Sequence, residues 1–268
     1  MKTQSGDSMK KMVLILLVGL AAIEARADMF SEGDSLFAQR AKGFQPETGL
    51  VDSSMINQAI KAYQNALSLA DSSKEDIICD LLNCYYYKGN FTTDDRELKK
   101  RFFQEGIKLG RKSLKKYPNS PGIHFWMGIL WGYWSEQVGL LTAGRKGVAG
   151  KIRQHAEALI RIDDTFADGG AYRTLGRVNF KAPKIPIILN WPSKEKAMVY
   201  LEKAYTINPD NLYTKQYYAE AIYSIEPEKA IKMVQAILRV NHVVHGIAED
   251  AYIKKEARQF LKKEGFTP

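Results

Sequence analysis

The sequence predicts an all-α chain, an array of about five helical hairpins wound as an α-α superhelix and closed by a C-terminal capping helix. Three observations carry this. Apolar residues recur at helical spacing, and no stretch reads as a convincing strand. Stop signals recur, at Gly89-Asn90, Pro118 and Pro209. Small residues fall at matching places in successive segments, so that Ala59, Tyr63 and Ala66 repeat the spacing of Ala197, Leu201 and Ala204.

The clearest unit runs from Asp168 to Pro209. Gly170-Ala171-Tyr172-Arg173-Thr174-Leu175-Gly176 opens the first helix of a hairpin, and Ala197, Leu201 and Ala204 mark the second. Gly176, Ala197 and Ala204 let two helices approach, while Tyr172, Leu175 and Leu201 fill the seam. This is the small-and-large code of a tetratricopeptide (TPR) unit of about 34 residues. Such a unit cannot bury its own apolar face, so neighbours must stack on it.

The other elements follow in order. Met29 to Lys42 predicts a first helix, broken by Gly43 and Pro46. Ser53-Ser54 caps a second, running to about Leu69. Asp71-Ser72-Ser73 starts Lys74 to Lys88, and Thr93-Asp94-Asp95 starts a helix to about Lys116. Gly106 and Gly110 inside the latter each cost about 1 kcal/mol relative to Ala, which argues for close helix contact there. Ser120-Pro121 begins an almost wholly apolar helix through Trp134, with Gly128 at the small position. Gly139 to Gly150 reads as a glycine-rich loop, and Lys151 to Ile162 as the partner helix. After the Asp168–Pro209 unit, Leu212–Ser224 and Pro227–Val240 form the last hairpin. Ile247 to Lys263 caps the array with a Lys-rich outer face.

Residues 1–27 read as a signal peptide. Lys10 and Lys11 precede the apolar run Met12–Ile23, and Ala25-Arg26-Ala27 supplies small residues for cleavage before Asp28. Residues 28–268 are then a single helical domain, expected in a bacterial periplasm and without a lipobox cysteine. Removing the leader takes away four cations (Lys2, Lys10, Lys11, Arg26) and two anions (Asp7, Glu24), which lowers the formal net charge from +9 to +7. This mildly basic balance fits an acidic partner or a merely solvated surface, and export disfavours nucleic acid. Cys79 and Cys84, five apart on one helix, read as free thiols.

Gly169-Gly170-Ala171-Tyr172-Arg173-Thr174-Leu175-Gly176-Arg177, then Lys181-Ala182-Pro183, Lys196-Ala197 and Asn208-Pro209, resembles the T-component (TatT) family of periplasmic TPR proteins. These accompany tripartite ATP-independent periplasmic (TRAP) transporters. The resemblance spans roughly Ser53 to Gly265. It implies an all-helical homo-oligomer, a trimer in that family, paired with a transporter's substrate-binding protein. The TPR proteins that regulate microtubules share a similar leucine-glycine helix, and the export signal argues against that branch.

No catalytic set, cofactor or metal site is expected. Gly144 to Lys151 is similar to a phosphate loop but fails on spacing, with Ile152 where a hydroxyl residue is needed. His242 and His245 are three apart with no third ligand. The stripe Lys108, Arg111, Lys112 and Lys115 is a solvated face or a surface for an acidic partner. Arg173, Arg177 and Lys181 share one helix face, where they hold a ligand carboxylate or pair with acids of a neighbouring helix. The insertion Lys181–Ser193 carries Pro183, Pro186, Pro192, Ile185, Ile187, Ile188, Leu189 and Trp191. Three readings of it stand: packing over its own hairpin, an oligomer contact, or the wall of an apolar ligand cleft. Candidate binding residues are therefore Trp131, Trp134, Tyr172, Arg173, Arg177, Lys181, Ile187, Trp191 and Tyr218. The function expected is a scaffold of a TRAP-type uptake system that binds the substrate-binding protein and a hydrophobic carboxylate. The alternative is a general periplasmic TPR adaptor with no small ligand.

Overall fold

The computed structural model describes residues 30–69, 74–183 and 192–267. The leader, the Asp71-Ser72-Ser73 cap, and Ile187 and Trp191 of the insertion lie outside the described residues. Among the described residues twelve helices follow one another: α1 (30–38), α2 (Ser54–Leu69), α3 (Lys74–Phe91), α4 (Arg96–Ser113), α5 (Pro121–Val138), α6 (Leu140–Arg145), α7 (Val148–Ile162), α8 (Phe166–Lys181), α9 (Lys194–Ile207), α10 (Leu212–Ile222), α11 (Pro227–Arg239) and α12 (Ile247–Lys263). Among the same residues, β pairing is confined to the isolated bridge Gln45–Leu50. The chain is an all-α, TPR-like array, as the periodicity predicts.

The predicted stop and start residues set the helix ends. The Asp95 carboxylate accepts from the Leu98 amide at 2.8 Å and opens α4. Ser120 accepts from the Ile123 amide at 3.3 Å, with Pro121 in the first turn of α5. Ser193 caps α9 in the same way at 3.2 Å. Each such cap is worth about 1 kcal/mol.

The hairpins are α3/α4, α5/α7, α8/α9 and α10/α11, with α1 packing on α2 through Phe30 and Tyr63. Helices α3, α5, α8 and α10 also touch one another in succession, so they form the inner layer, with α4, α7, α9 and α11 outside. The core divides into two clusters. Tyr63, Tyr87, Phe91, Phe103, Met127 and Leu130 belong to the first, and Leu201, Leu212, Val234, Ile237 and Leu261 to the second. A fully buried side chain of this size contributes about 1.5–3 kcal/mol.

Two expectations need correcting, and a third is extended. Residues 140–145 of the supposed glycine loop are a helix, α6, none of whose residues is buried. Gly128 does not face its own hairpin partner. A Cβ there would meet Thr174 Cγ2 on α8, at 3.3 Å, so the small residue serves the next repeat. The helix α12 is also more than a terminal cap. It packs on α10 and α11, and its Glu249 reaches back to Arg40, 209 residues earlier, at 3.0 Å. Tyr252 meets the edge of Phe91 at 6.3 Å between ring centroids. The two ends of the array are thereby joined.

Cys79 and Cys84 are free thiols, and burial pushes the Cys79 thiol up to about 12. Buried His124 and His155, on α5 and α7, approach with their Nδ1 atoms 3.0 Å apart. His124 Nε2 lies 2.9 Å from the Pro118 carbonyl and so must donate to it. Its Nδ1 is then the acceptor for His155 Nδ1–H. Burial first, and His124 second, lower the His155 pKa to about 4 from 6.5. The folded pKa lies below the unfolded one, so this stability is complete above pH 6.5 and is lost as pH falls toward 4. Melting temperatures at pH 7 and about pH 4.5 should show the drop, and His155→Phe should flatten it.

At the start of α8 three consecutive residues, Ala167 (φ 51°), Asp168 (φ 58°) and Gly169 (φ 68°), are left-handed. Only glycine adopts this without strain, and each L-residue there costs about 1 kcal/mol. Arg173 holds the turn. Its guanidinium donates to the carbonyls of Ala167 and Asp168 at 3.2 and 3.3 Å, and to the Thr214 hydroxyl at 3.1 Å. Ala167→Gly is expected to raise stability by about 0.5–1 kcal/mol in denaturant titrations.

Candidate functional site

The inner helices bring a set of aromatic and charged side chains together beside the first core cluster. Tyr86 on α3, Trp126, Tyr133 and Glu136 on α5, Arg173 and Arg177 on α8, and Tyr213, Tyr217 and Glu220 on α10 converge with Tyr252 of α12. Spacings of three, four or seven residues put each set on one helix face. Tyr86 packs on Trp126 at 5.5 Å and on Tyr133 at 5.2 Å between ring centroids. Across the groove Tyr213 stacks on Tyr252 at 6.4 Å. Arg177 lies 4.0 Å over the Tyr217 ring and donates to Glu220 at 2.7 Å.

Tyr86 is buried in the first core cluster and forms the floor, while the side chains around it are enclosed by protein yet keep water contact. Tyr133, Tyr213, Tyr217 and Tyr252 are half-buried, and Glu136 is exposed. Residues lining a concave surface behave so, whereas core residues lose all contact with water. Burial raises the phenol pKa of Tyr133, Tyr213, Tyr217 and Tyr252, so all are neutral donors at physiological pH. Desolvation by the protein around its carboxyl likewise raises Glu136, although part of the residue is exposed, against the opposing pull of Arg177. At Glu220 burial pushes upward, but Arg177 and Lys181 outweigh it and hold the carboxylate below its ordinary value.

The predicted residues divide. Arg177 and Lys181 meet at Glu220, at 2.7 and 3.3 Å, on the inner face. That is the helix-pairing alternative, not a free carboxylate clamp. Arg173 lies beside them but is spent on the strained turn. Trp131 and Trp134 sit in the packed interior, 5.5 Å apart, with Lys151 Nζ 4.4 Å over the Trp131 ring. Tyr172 is buried between α8 and α9, stacked on Tyr200 and bonded to Asp164 at 2.9 Å. Tyr218 is buried against Tyr205, at 5.5 Å, and Glu202. Those four aromatics are seam residues. Lys108, Arg111 and Lys112 are exposed on the outside of α4, and Lys115 on the turn that follows it.

Sequence reasoning missed the groove tyrosines Tyr133, Tyr213, Tyr217 and Tyr252, which surround the buried Tyr86. A signal was present on α10, where Tyr213, Tyr217 and Glu220 share one face at helical spacing; α5, apolar almost all round, offered none.

Fold and groove together define a helical-repeat protein of the TPR type. It superposes on a thermophilic TPR protein of Thermus thermophilus with a TM-score of 0.59 and 13% identity, over 88% of this chain and 99% of that one. The family model of regulator of microtubule dynamics protein 1-3 matches residues 49–265, and the chain belongs to that family. This is the branch that the leader-like N-terminus argued against. None of the curated proteins matches the sequence.

Proposed function

We propose that this chain is an extracytoplasmic, non-catalytic scaffold that docks a protein partner in its tyrosine-lined inner groove. The observation that carries the reading is the set of groove tyrosines that stay wetted inside the array. Tyrosine supplies large amphipathic contact area at low entropic cost, which suits protein recognition. The leader-like N-terminus and the likeness to the TRAP T-component family support a periplasmic location. They also favour the substrate-binding protein of a TRAP transporter as partner, with the scaffold a homo-oligomer. A hydrophobic carboxylate is the weaker reading, because the cations it would need already hold Glu220 and the carbonyls of Ala167 and Asp168.

The test is titration calorimetry of the chain from Asp28 with that substrate-binding protein. Binding is expected, and Tyr133→Ala with Tyr217→Ala should weaken it about tenfold or more. Binding that is absent, or equal in the double variant, would remove the groove from the reading. Mass spectrometry of partners captured from extracytoplasmic extract distinguishes a TRAP component from a general adaptor's clients.

A further inference from the structure

The short helix α6 stands apart from the core. Gly139 (φ 78°) and Gly147 (φ 59°) break the chain on either side of it, and a Cβ on Gly144, Gly147 or Gly150 would meet nothing within 4 Å. The glycines there make no close helix contact, unlike those of α4. Ala143 alone of this helix packs toward the first core cluster. At about 100° per residue, Leu141 and Arg145 both project about 160° away from Ala143. Leu140 and Leu141 are 68% and 80% exposed, the most exposed large apolar side chains among the described residues.

Along the chain at this tip, between Glu136 and Glu157, the charge has one sign. From Gln137 to Ala156 the sequence holds Arg145, Lys146, Lys151 and Arg153 and no Asp or Glu. Arg153 is engaged with Glu157, and Lys151 lies over Trp131. Arg145 and Lys146 have no acidic partner among the described residues. Two adjacent exposed leucines flanked by unpaired cations complement a surface that is apolar beneath and anionic above.

We infer that α6 is a membrane-contact tip, which places Leu140 and Leu141 at the acyl boundary of an anionic bilayer and Arg145 and Lys146 among its headgroups. The tip lies at the α5–α7 connection, so docking there leaves the inner-face tyrosines unchanged. Two weak components, one apolar and one electrostatic, make the attachment reversible and salt-sensitive.

The probe is a set of vesicles of phosphatidylcholine with about a third phosphatidylglycerol, against pure phosphatidylcholine. The protein is the chain from Asp28, which keeps every described helix and lacks the apolar leader. Co-sedimentation is expected with the anionic vesicles, falling about tenfold from low to moderate salt. Leu140→Asp with Leu141→Asp should reduce it about tenfold or more at low salt, and Arg145→Glu with Lys146→Glu should abolish its salt dependence. All four side chains are exposed, so melting temperatures should be unchanged. Lys262→Glu with Lys263→Glu, the same charge change at the far end of the chain, should retain the wild-type apolar component. No binding to anionic vesicles, or equal binding by the leucine variant, overturns the inference. So does light scattering showing a wild-type oligomer that the leucine variant breaks, which would make the tip a contact between copies.

Discussion

Gly176→Val is expected to destabilise the protein by about 3 kcal/mol or more, read from guanidinium titration. A Cβ at Gly176 would sit 2.3 Å from Leu201 Cγ, and Leu201 is fully buried. The clash is with a branch point close to the α9 backbone, so it cannot be relieved by moving a flexible tip. Helices α8 and α9 must separate, which opens the tightest hairpin of the array. Gly110→Ala should be milder. Its Cβ would also meet an atom at 2.3 Å, but that atom is Met127 Sδ, near the end of an adaptable side chain. Gly128→Ala should lie within about 1 kcal/mol of wild type, because the 3.3 Å approach to Thr174 offsets the gain in helix propensity. A Gly176→Val protein as stable as wild type would mean that the α8/α9 seam is looser than its geometry.

Glu220→Ala should lower stability by about 2–3 kcal/mol near neutral pH. The carboxylate joins α10 to two cations of α8, Arg177 and Lys181, in a half-enclosed setting, and Arg177 itself lies over the Tyr217 ring. Its removal leaves a desolvated guanidinium without its ion-pair partner. Arg177→Met with Glu220→Met should recover much of the loss, since an apolar pair of similar volume suits this setting better than one orphaned charge. The pH dependence separates this pair from the histidines. Glu220 has a folded pKa depressed below 4.5, so its contribution is present above that value and is lost as pH falls through the folded pKa. His155 acts at higher pH, from 6.5 down to about 4. Between about pH 6.5 and 5, the Glu220→Ala chain should keep the wild-type slope and the His155→Phe chain should lose it.

Much of the array was legible beforehand because its determinants are local. Asp95 and Ser120 act on amides three residues away, and a cap of that reach can be read without knowing the fold. The small residues of α8 and α9 were legible for the same reason, since the two helices of one hairpin are close in sequence. Gly128 was misassigned to its own hairpin because stacking between repeats depends on the superhelical turn, which no single repeat encodes.

The candidate site was less legible. Trp131, Trp134, Tyr172 and Tyr218 are large and aromatic, as binding residues often are, but each lies between two helices of the array. The side chains that face the groove, such as Tyr133 and Tyr217, look ordinary in sequence. Their position follows from which way the inner helices roll once the apolar stripes have packed.

The sequence by itself determined that the chain is helical, where most helices begin and end, and that small residues draw hairpins together. Propensity, capping and side-chain spacing act within a few residues, so a linear string contains them. The tertiary structure alone decided that Glu249 of α12 returns to Arg40, that Arg177 and Lys181 share Glu220, and that tyrosines from separate helices meet in one groove. Those arrangements depend on the accumulated rotation from repeat to repeat, which is a property of the packed array and of no single segment.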